Sequence, residues 1–99
     1  MSEYPSKAGF EAQVGTRFSM ELDDGVIATV LLKKCETKTD TSLQECFSLV
    51  FVAPEDAPPV QTMRKLHHDV LGEMTVFLVP IKRDAIGLYY EAVFNRLLG

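Results

Sequence analysis

Few residues in this chain have the chemistry of a site. The stretch Leu66–Gly72, "LHHDVLG", holds both histidines with an acid beside them. An imidazole can ligate a divalent metal or act as a general base near neutral pH. His67, His68 and Asp69 are therefore the candidate cluster, a turn that would hold a metal or a small ligand. Adjacent residues on a strand point to opposite faces, so the two imidazoles can share an ion only if the chain bends between them. Asp69 to Gly72 has the composition of such a bend. Asp accepts backbone N–H groups in a turn, and Gly supplies a positive φ. No second cluster in the sequence completes a coordination shell, and no nucleophile or carboxylate pair stands beside the histidines. The favoured reading is that one histidine bonds backbone groups at the loop and the other faces solvent. On that reading no catalytic, cofactor-binding or metal residue is assigned, and the chain is not expected to be an enzyme or to carry a cofactor.

The remaining reactive types add little. Cys35 and Cys46 lack the Cys-x-x-Cys spacing of a zinc module. Neither stands at a visible helix N-terminus, where a thiol would be activated. They can face each other across a hairpin, which leaves a disulfide open, but free thiols suit a chain with no export signal. Asp23-Asp24 and Glu55-Asp56 fall in turn and loop sequences, and Glu91 lies between apolar residues of a strand, where a solvated outer-face position is the common role. No glycine-rich phosphate loop, nucleophile elbow or helical metal motif occurs.

Charge narrows the partners. The 99 residues carry 10 basic and 14 acidic side chains, a formal net charge of −4. The basic residues are scattered in pairs, Lys33-Lys34, Arg64-Lys65 and Lys82-Arg83. Nucleic-acid binding needs a stripe of positive charge to neutralise phosphates, so it is not expected. The opening "MSEYPSKAGF" has no apolar run behind a basic start, and no run approaches a membrane span. The expectation is a cytoplasmic protein without membrane contact.

The elements that must position these residues are strands. Residues 1–99 read as one small domain. Period-two alternation marks strands at 17–22, 45–53 and 88–97, β-branched and aliphatic content marks 26–37, an apolar run marks 73–81, and a weaker strand lies at 61–67 in which Met63 or Leu66 points inward. Asp23-Asp24-Gly25, Thr37–Ser42 and Lys82–Gly87 read as turns or loops, and the proline-rich 54–60 as a surface connection. The near-continuous apolar run 73–81 predicts a strand covered on both faces. Ser6 can cap a short helix through Val14, with Gly15 at its C′ position and Phe10 and Val14 closing one end of the sheet. For the second and third strands, the register that opposes Cys35 to Cys46 also opposes Val30 to Phe51 and Leu32 to Leu49, which keeps both faces consistent. The fold class is all-β: about six antiparallel strands in a meander, forming a small barrel or a strongly twisted sheet, with a short N-terminal helix.

The second half also resembles a known family. The elements are Phe51, Pro54, Gln61, His68, Leu71-Gly72, "FLVP" at 77–80 and "YEAVFN" at 90–95, with looser agreement over Phe10–Met20. They are similar to those of small uncharacterised bacterial domains encoded near phage-tail-collar-like proteins. The resemblance carries no catalytic residues. It implies a structural or protein-interaction module, linked to such assemblies. It places Gln61, His68, the Leu-Gly turn and Asn95 where polar groups end strands. A protein partner is expected, and a homodimer is one way to cover apolar groups on both faces of the third and fifth strands. The alternative is a small-ligand or metal-binding protein using the His67/His68/Asp69 turn.

Overall fold

Alternating side chains become strands because each residue pair then sends one group to the core and one to water. The computed structural model describes residues 5–41 and 43–97. A short helix α1 (Lys7–Glu11) precedes strands β1 (Arg17–Glu21), β2 (Ile27–Asp40), β3 (Gln44–Ala53), β4 (Thr62–His68), β5 (Gly72–Arg83) and β6 (Leu88–Leu97). The strands close into an antiparallel barrel in the order β1-β2-β3-β6-β5-β4. Of the two shapes the sequence allows, the chain takes the barrel. Each half, β1–β2–β3 and β4–β5–β6, is a meander. The halves join along β3 and β6, from Gln44–Leu97 to Ala53–Leu88. A shorter seam of β1 and β4, Ser19–His67 and Met20–Leu66, completes the ring. Among the described residues, β2 beyond Leu32 and β6 beyond Glu91 pair only with β3, so these segments project past the closed ring.

The inward residues form one core. Phe18, Met20, Val30, Leu32, Leu49, Phe51, Leu66, Leu78 and Tyr90 are almost wholly buried. Phe18 meets Phe51 edge-on at 5.3 Å. At one end, α1 acts as a plug. The Ser6 side chain accepts a hydrogen bond from the Gly9 N–H, the capping role expected of it. Phe10 then packs on Phe94 at 5.4 Å and Phe47 at 6.0 Å, while Phe47 and Phe94 stack at 5.1 Å. Val14 does not share this task. The helix stops at Glu11, so Val14 leaves the helical face and stays 42% exposed. Gly15, expected just past the helix, instead turns the chain into β1 with φ +91°. At the other end the 54–61 connection crosses the mouth, tucking Ala57 into the core while Tyr90 donates its hydroxyl to the Pro58 carbonyl.

Three local expectations are corrected. In the β2–β3 hairpin, Leu32 pairs with Phe51 and Cys35 with Leu49, while Cys46 lies opposite Thr39. The register thus differs from the one opposing the cysteines, and both thiols are free. Irregularities at Leu32/Lys34 and Thr37/Thr39 each insert a residue into β2. The offset from the expected register is two residues at Leu32–Phe51, three at Cys35–Leu49 and four at Thr39–Cys46. Faces therefore agree up to Leu32, and the first bulge then turns Cys35 to the core side, which pattern alone does not reveal. The connection is also shorter than the polar 37–42 loop: β2 runs to Asp40 and Thr41 N–H reaches the Gln44 carbonyl. Ser42 lies outside the described residues. Finally, β5 is covered on one face only. Met74, Val76 and Leu78 are buried, whereas Phe77 and Ile81 are exposed. Pro80 has no N–H to give the ladder, and the β5–β6 register shifts directly after it. In β4 the open choice resolves to Leu66 inside and Met63 outside.

Candidate functional site

β4 stays extended through His68, so the two histidines point to opposite faces, as strand geometry requires. His68 faces inward, buried, with its ring 4.3 Å from that of Phe18. Its Nδ1 accepts hydrogen bonds from the Val70 N–H at 3.0 Å and the Leu71 N–H at 3.1 Å. The acceptor expected of Asp69 in this turn is therefore supplied by His68, and Asp69 is exposed. Gly72, at φ +84°, provides the positive φ the turn needs. Since Nδ1 accepts twice, the ring hydrogen sits on Nε2, which lies 2.9 Å from Thr16 Oγ1. Thr16 in turn donates to the Gln13 carbonyl at 2.6 Å. The hydroxyl–imidazole contact has the members of a nucleophile–base pair but the wrong polarity, because the nitrogen facing the hydroxyl carries the hydrogen. His68 fastens the β4–β5 turn and the α1–β1 segment to the core.

His67 faces outward and joins other strands. Its Nε2 is 2.6 Å from Glu21 Oε2 on β1 and 3.8 Å from Glu73 Oε2 on β5. Lys65 Nζ lies 3.5 Å from the same Glu73 oxygen. The His67 hydrogen bond holds Glu21 below the ordinary carboxylate value of 4.5, against a smaller opposing push from desolvation and with help from Lys65. A carboxyl depressed in the folded state contributes stability that is fully present above its unfolded pKa and is lost as pH falls through the folded value. His67→Ala is expected to return the Glu21 titration toward 4.5. An NMR titration of the side-chain carboxyl carbon checks this, and an unchanged midpoint would refute the assignment. The trio His67/His68/Asp69 is not brought together. Glu21 and Glu73, which the sequence reading passed over, take the places beside His67.

Sequence reading also missed Arg64. It lies inward on β4, 3% exposed, at the mouth that the proline connection crosses. Nη1 donates to Asp23 Oδ1 at 2.8 Å, but Nε and Nη2 have no hydrogen-bond partner among the described residues. Alternation of Arg64, Leu66 and His68 on one face was the available signal, masked by their polarity. A buried guanidinium with orphaned donors is a net cost that a similarly shaped apolar side chain escapes. Arg64→Met is therefore expected to stabilise the fold by about 1–3 kcal/mol, read from the urea midpoint. A destabilised variant would show that the guanidinium is better satisfied than its contacts indicate.

The outer wall carries two apolar features. A groove of about 270 Å³ has a floor of Leu31, Val52, Pro54 and Ile86, flanked by Arg17 and Lys33. Neither cation has an ion-pair partner among the described residues, whereas Lys34, Lys65 and Lys82 each have one. On β4 and β5, Met63 stands directly opposite Phe77, 51% and 46% exposed. Glu91 sits on the outer face between Val50 and Val79, half-buried. Asn95, near the end of β6, accepts from the Gln44 side chain at 2.7 Å, a strand-to-strand bond. Among the described residues, no helix is long and apolar enough to cross a membrane.

Comparison with curated proteins and with solved structures gives no match. A family description, Domain of unknown function (DUF6916), matches residues 5–94, which include α1, β1 to β5 and most of β6. The chain belongs to the DUF6916 family.

Proposed function

We propose that this barrel is a non-catalytic protein-interaction module that docks an acidic, apolar-anchored segment of a partner protein in the groove between Arg17 and Lys33. The observation that carries the reading is a pair of unpaired cations flanking an apolar floor, on a chain whose overall charge is −4. Such a rim attracts carboxylates and rejects the chain's own acidic surface, while Leu31, Val52 and Ile86 offer the desolvated contact that binding energy needs. The inverted polarity of the Thr16–His68 contact, and the closed packing of the interior, support a role without chemistry. The resemblance to domains encoded beside phage-tail-collar-like proteins points to an assembly partner of that kind, met in the cytoplasm where such structures are built.

Peptides selected from a random display library against the immobilised barrel test the reading. Binders are expected to carry two or more acids around one large apolar residue. Arg17→Glu with Lys33→Glu is expected to weaken them by at least tenfold, about 1.4 kcal/mol. Selection of basic or charge-neutral peptides, or binding unchanged in the double variant, would remove the groove as the docking site.

A second reading rests on Met63 and Phe77, an exposed cross-strand pair on the opposite wall. Two copies could bury these pairs against each other in a homodimer. Sedimentation at micromolar concentration is then expected to give a dimer that Phe77→Glu converts to a monomer. A parent that sediments as a monomer excludes it.

A further inference from the structure

We propose that Glu21, His67 and Glu73 form a divalent transition-metal site on the outer wall of the barrel, independent of His68, Asp69 and the docking groove.

The strands supply the placement. His67 on β4 and Glu73 on β5 are directly paired across their ladder. Glu21 on β1 lies two residues beyond Ser19, which is the β1 partner of His67. All three side chains therefore leave the same face of three neighbouring strands. The β1–β4 seam that closes the ring is what brings Glu21 to the other two, so the backbone frame is fixed before any ion arrives.

The distances fit a small ion. Glu21 Oε2 and Glu73 Oε2 stand 2.6 Å and 3.8 Å from His67 Nε2, and all three atoms lie within 4.8 Å of one another. A four-coordinate zinc with bonds near 2.1 Å sets its ligand atoms roughly 3.4 Å apart. The present separations fall on either side of that value. Because the side chains are each about half exposed, rotamer changes on fixed strands can open the short contact and draw in the long one.

The donor set selects the ion class. An imidazole nitrogen with two carboxylates distinguishes this group from an acidic surface patch. Calcium and magnesium favour all-oxygen shells, whereas zinc, cobalt, nickel and manganese accept nitrogen with oxygen. Two carboxylates and a neutral imidazole match the charge of a dication. Binding places the Nε2 lone pair on the ion, so the neutral ring then keeps its hydrogen on Nδ1. With three protein ligands, water completes the shell. Lys65 works against the site: its ammonium opposes a cation and its ion pair occupies Glu73.

Zinc chloride and cobalt chloride titrated into the purified chain, followed by calorimetry and by long-range ¹H–¹⁵N spectra of the two imidazoles, test the proposal. The expected result is one ion per chain, with the His67 nitrogen signals moving and those of His68 staying in place. His67→Ala and Glu73→Gln are each expected to weaken binding by about tenfold or more, the scale seen for lost metal-site groups. Lys65→Met is expected to tighten it severalfold, and Asp69→Asn to leave it unchanged. All four positions are at least partly exposed, so circular dichroism should show the folded barrel in each variant. The same titration in a Cys35→Ser, Cys46→Ser chain separates the site from thiol binding. No uptake at millimolar metal, binding that survives His67→Ala, or binding that disappears with the cysteines would each overturn the assignment.

Discussion

Gly87→Ala is expected to be among the most damaging small substitutions in the chain. A Cβ built on Gly87 lies 2.0 Å from the Ala53 carbonyl oxygen and 3.2 Å from Val52 Cγ1. The first contact is with backbone, so no side-chain rotation relieves it. Either β3 or the start of β6 must move, at the point where Ala53 pairs with Leu88. The turn that precedes it resists movement. Asp84 Oδ1 accepts from the Ile86 N–H at 2.8 Å and from the Gly87 N–H at 3.3 Å, and the Asp84 N–H donates to the Gly87 carbonyl at 3.0 Å. Overpacking of this kind costs about 3 kcal/mol, the upper part of the usual range. Total stability in domains of this size is roughly 5–15 kcal/mol. The melting temperature should therefore fall by roughly 12 °C or more. Gly25→Ala makes the control, because a Cβ there meets nothing within 4 Å and the strain comes only from φ +82°. A Gly87→Ala protein that melts within a few degrees of the parent would mean that β3 yields freely at Ala53. The same variant shifts Pro54 and Ile86, so it is also expected to weaken peptide docking in the groove.

Replacing His68 should cost a similar amount for a different reason. His68→Leu fills much of the volume but strands the Val70 and Leu71 N–H groups and leaves Thr16 without its donor. The two N–H groups are partly buried, so each lost bond costs about 1 kcal/mol, and the loss of the Phe18 contact adds to it, for a total near roughly 2–3 kcal/mol. His68→Asn discriminates between lost packing and lost bonds. Its Oδ1 can stand where Nδ1 stands and accept the same two N–H groups, although the side chain is smaller and more polar. If the bonds dominate, Asn is the milder substitution by about 1 kcal/mol or more in urea denaturation. If Leu is the milder, the turn is held by packing and the hydrogen-bond account fails. Both variants leave Glu21, His67 and Glu73 on their strands, so metal uptake should persist wherever the barrel still folds.

The sequence by itself determined the six strands and the inward face of most of them. Phe18 and Met20, Val30 and Leu32, Leu49 and Phe51 recur at a spacing of two, and each of these six residues is buried. The same period places His67 and His68 on opposite sides of β4, which already ruled out a shared ion while the strand stayed extended. Gly25 and Gly72 were legible as turn residues, and Ser6 as a cap. These features are local: they follow from the period of two, from φ preferences and from hydrogen bonds within a few residues.

Only the tertiary structure decided which strands meet. Two bulges in β2 moved the hairpin register, turned Cys35 to the core side against Leu49 and left Cys46 opposite Thr39. The β1–β4 seam brought Glu21 to His67, residues 46 apart in the chain, and barrel closure enclosed Arg64 and exposed Phe77. The physical reason is that periodicity encodes the side of a strand a residue occupies, whereas a site also needs the neighbouring strand and its register. Those depend on the summed fit of the whole ring, a quantity that no single segment carries.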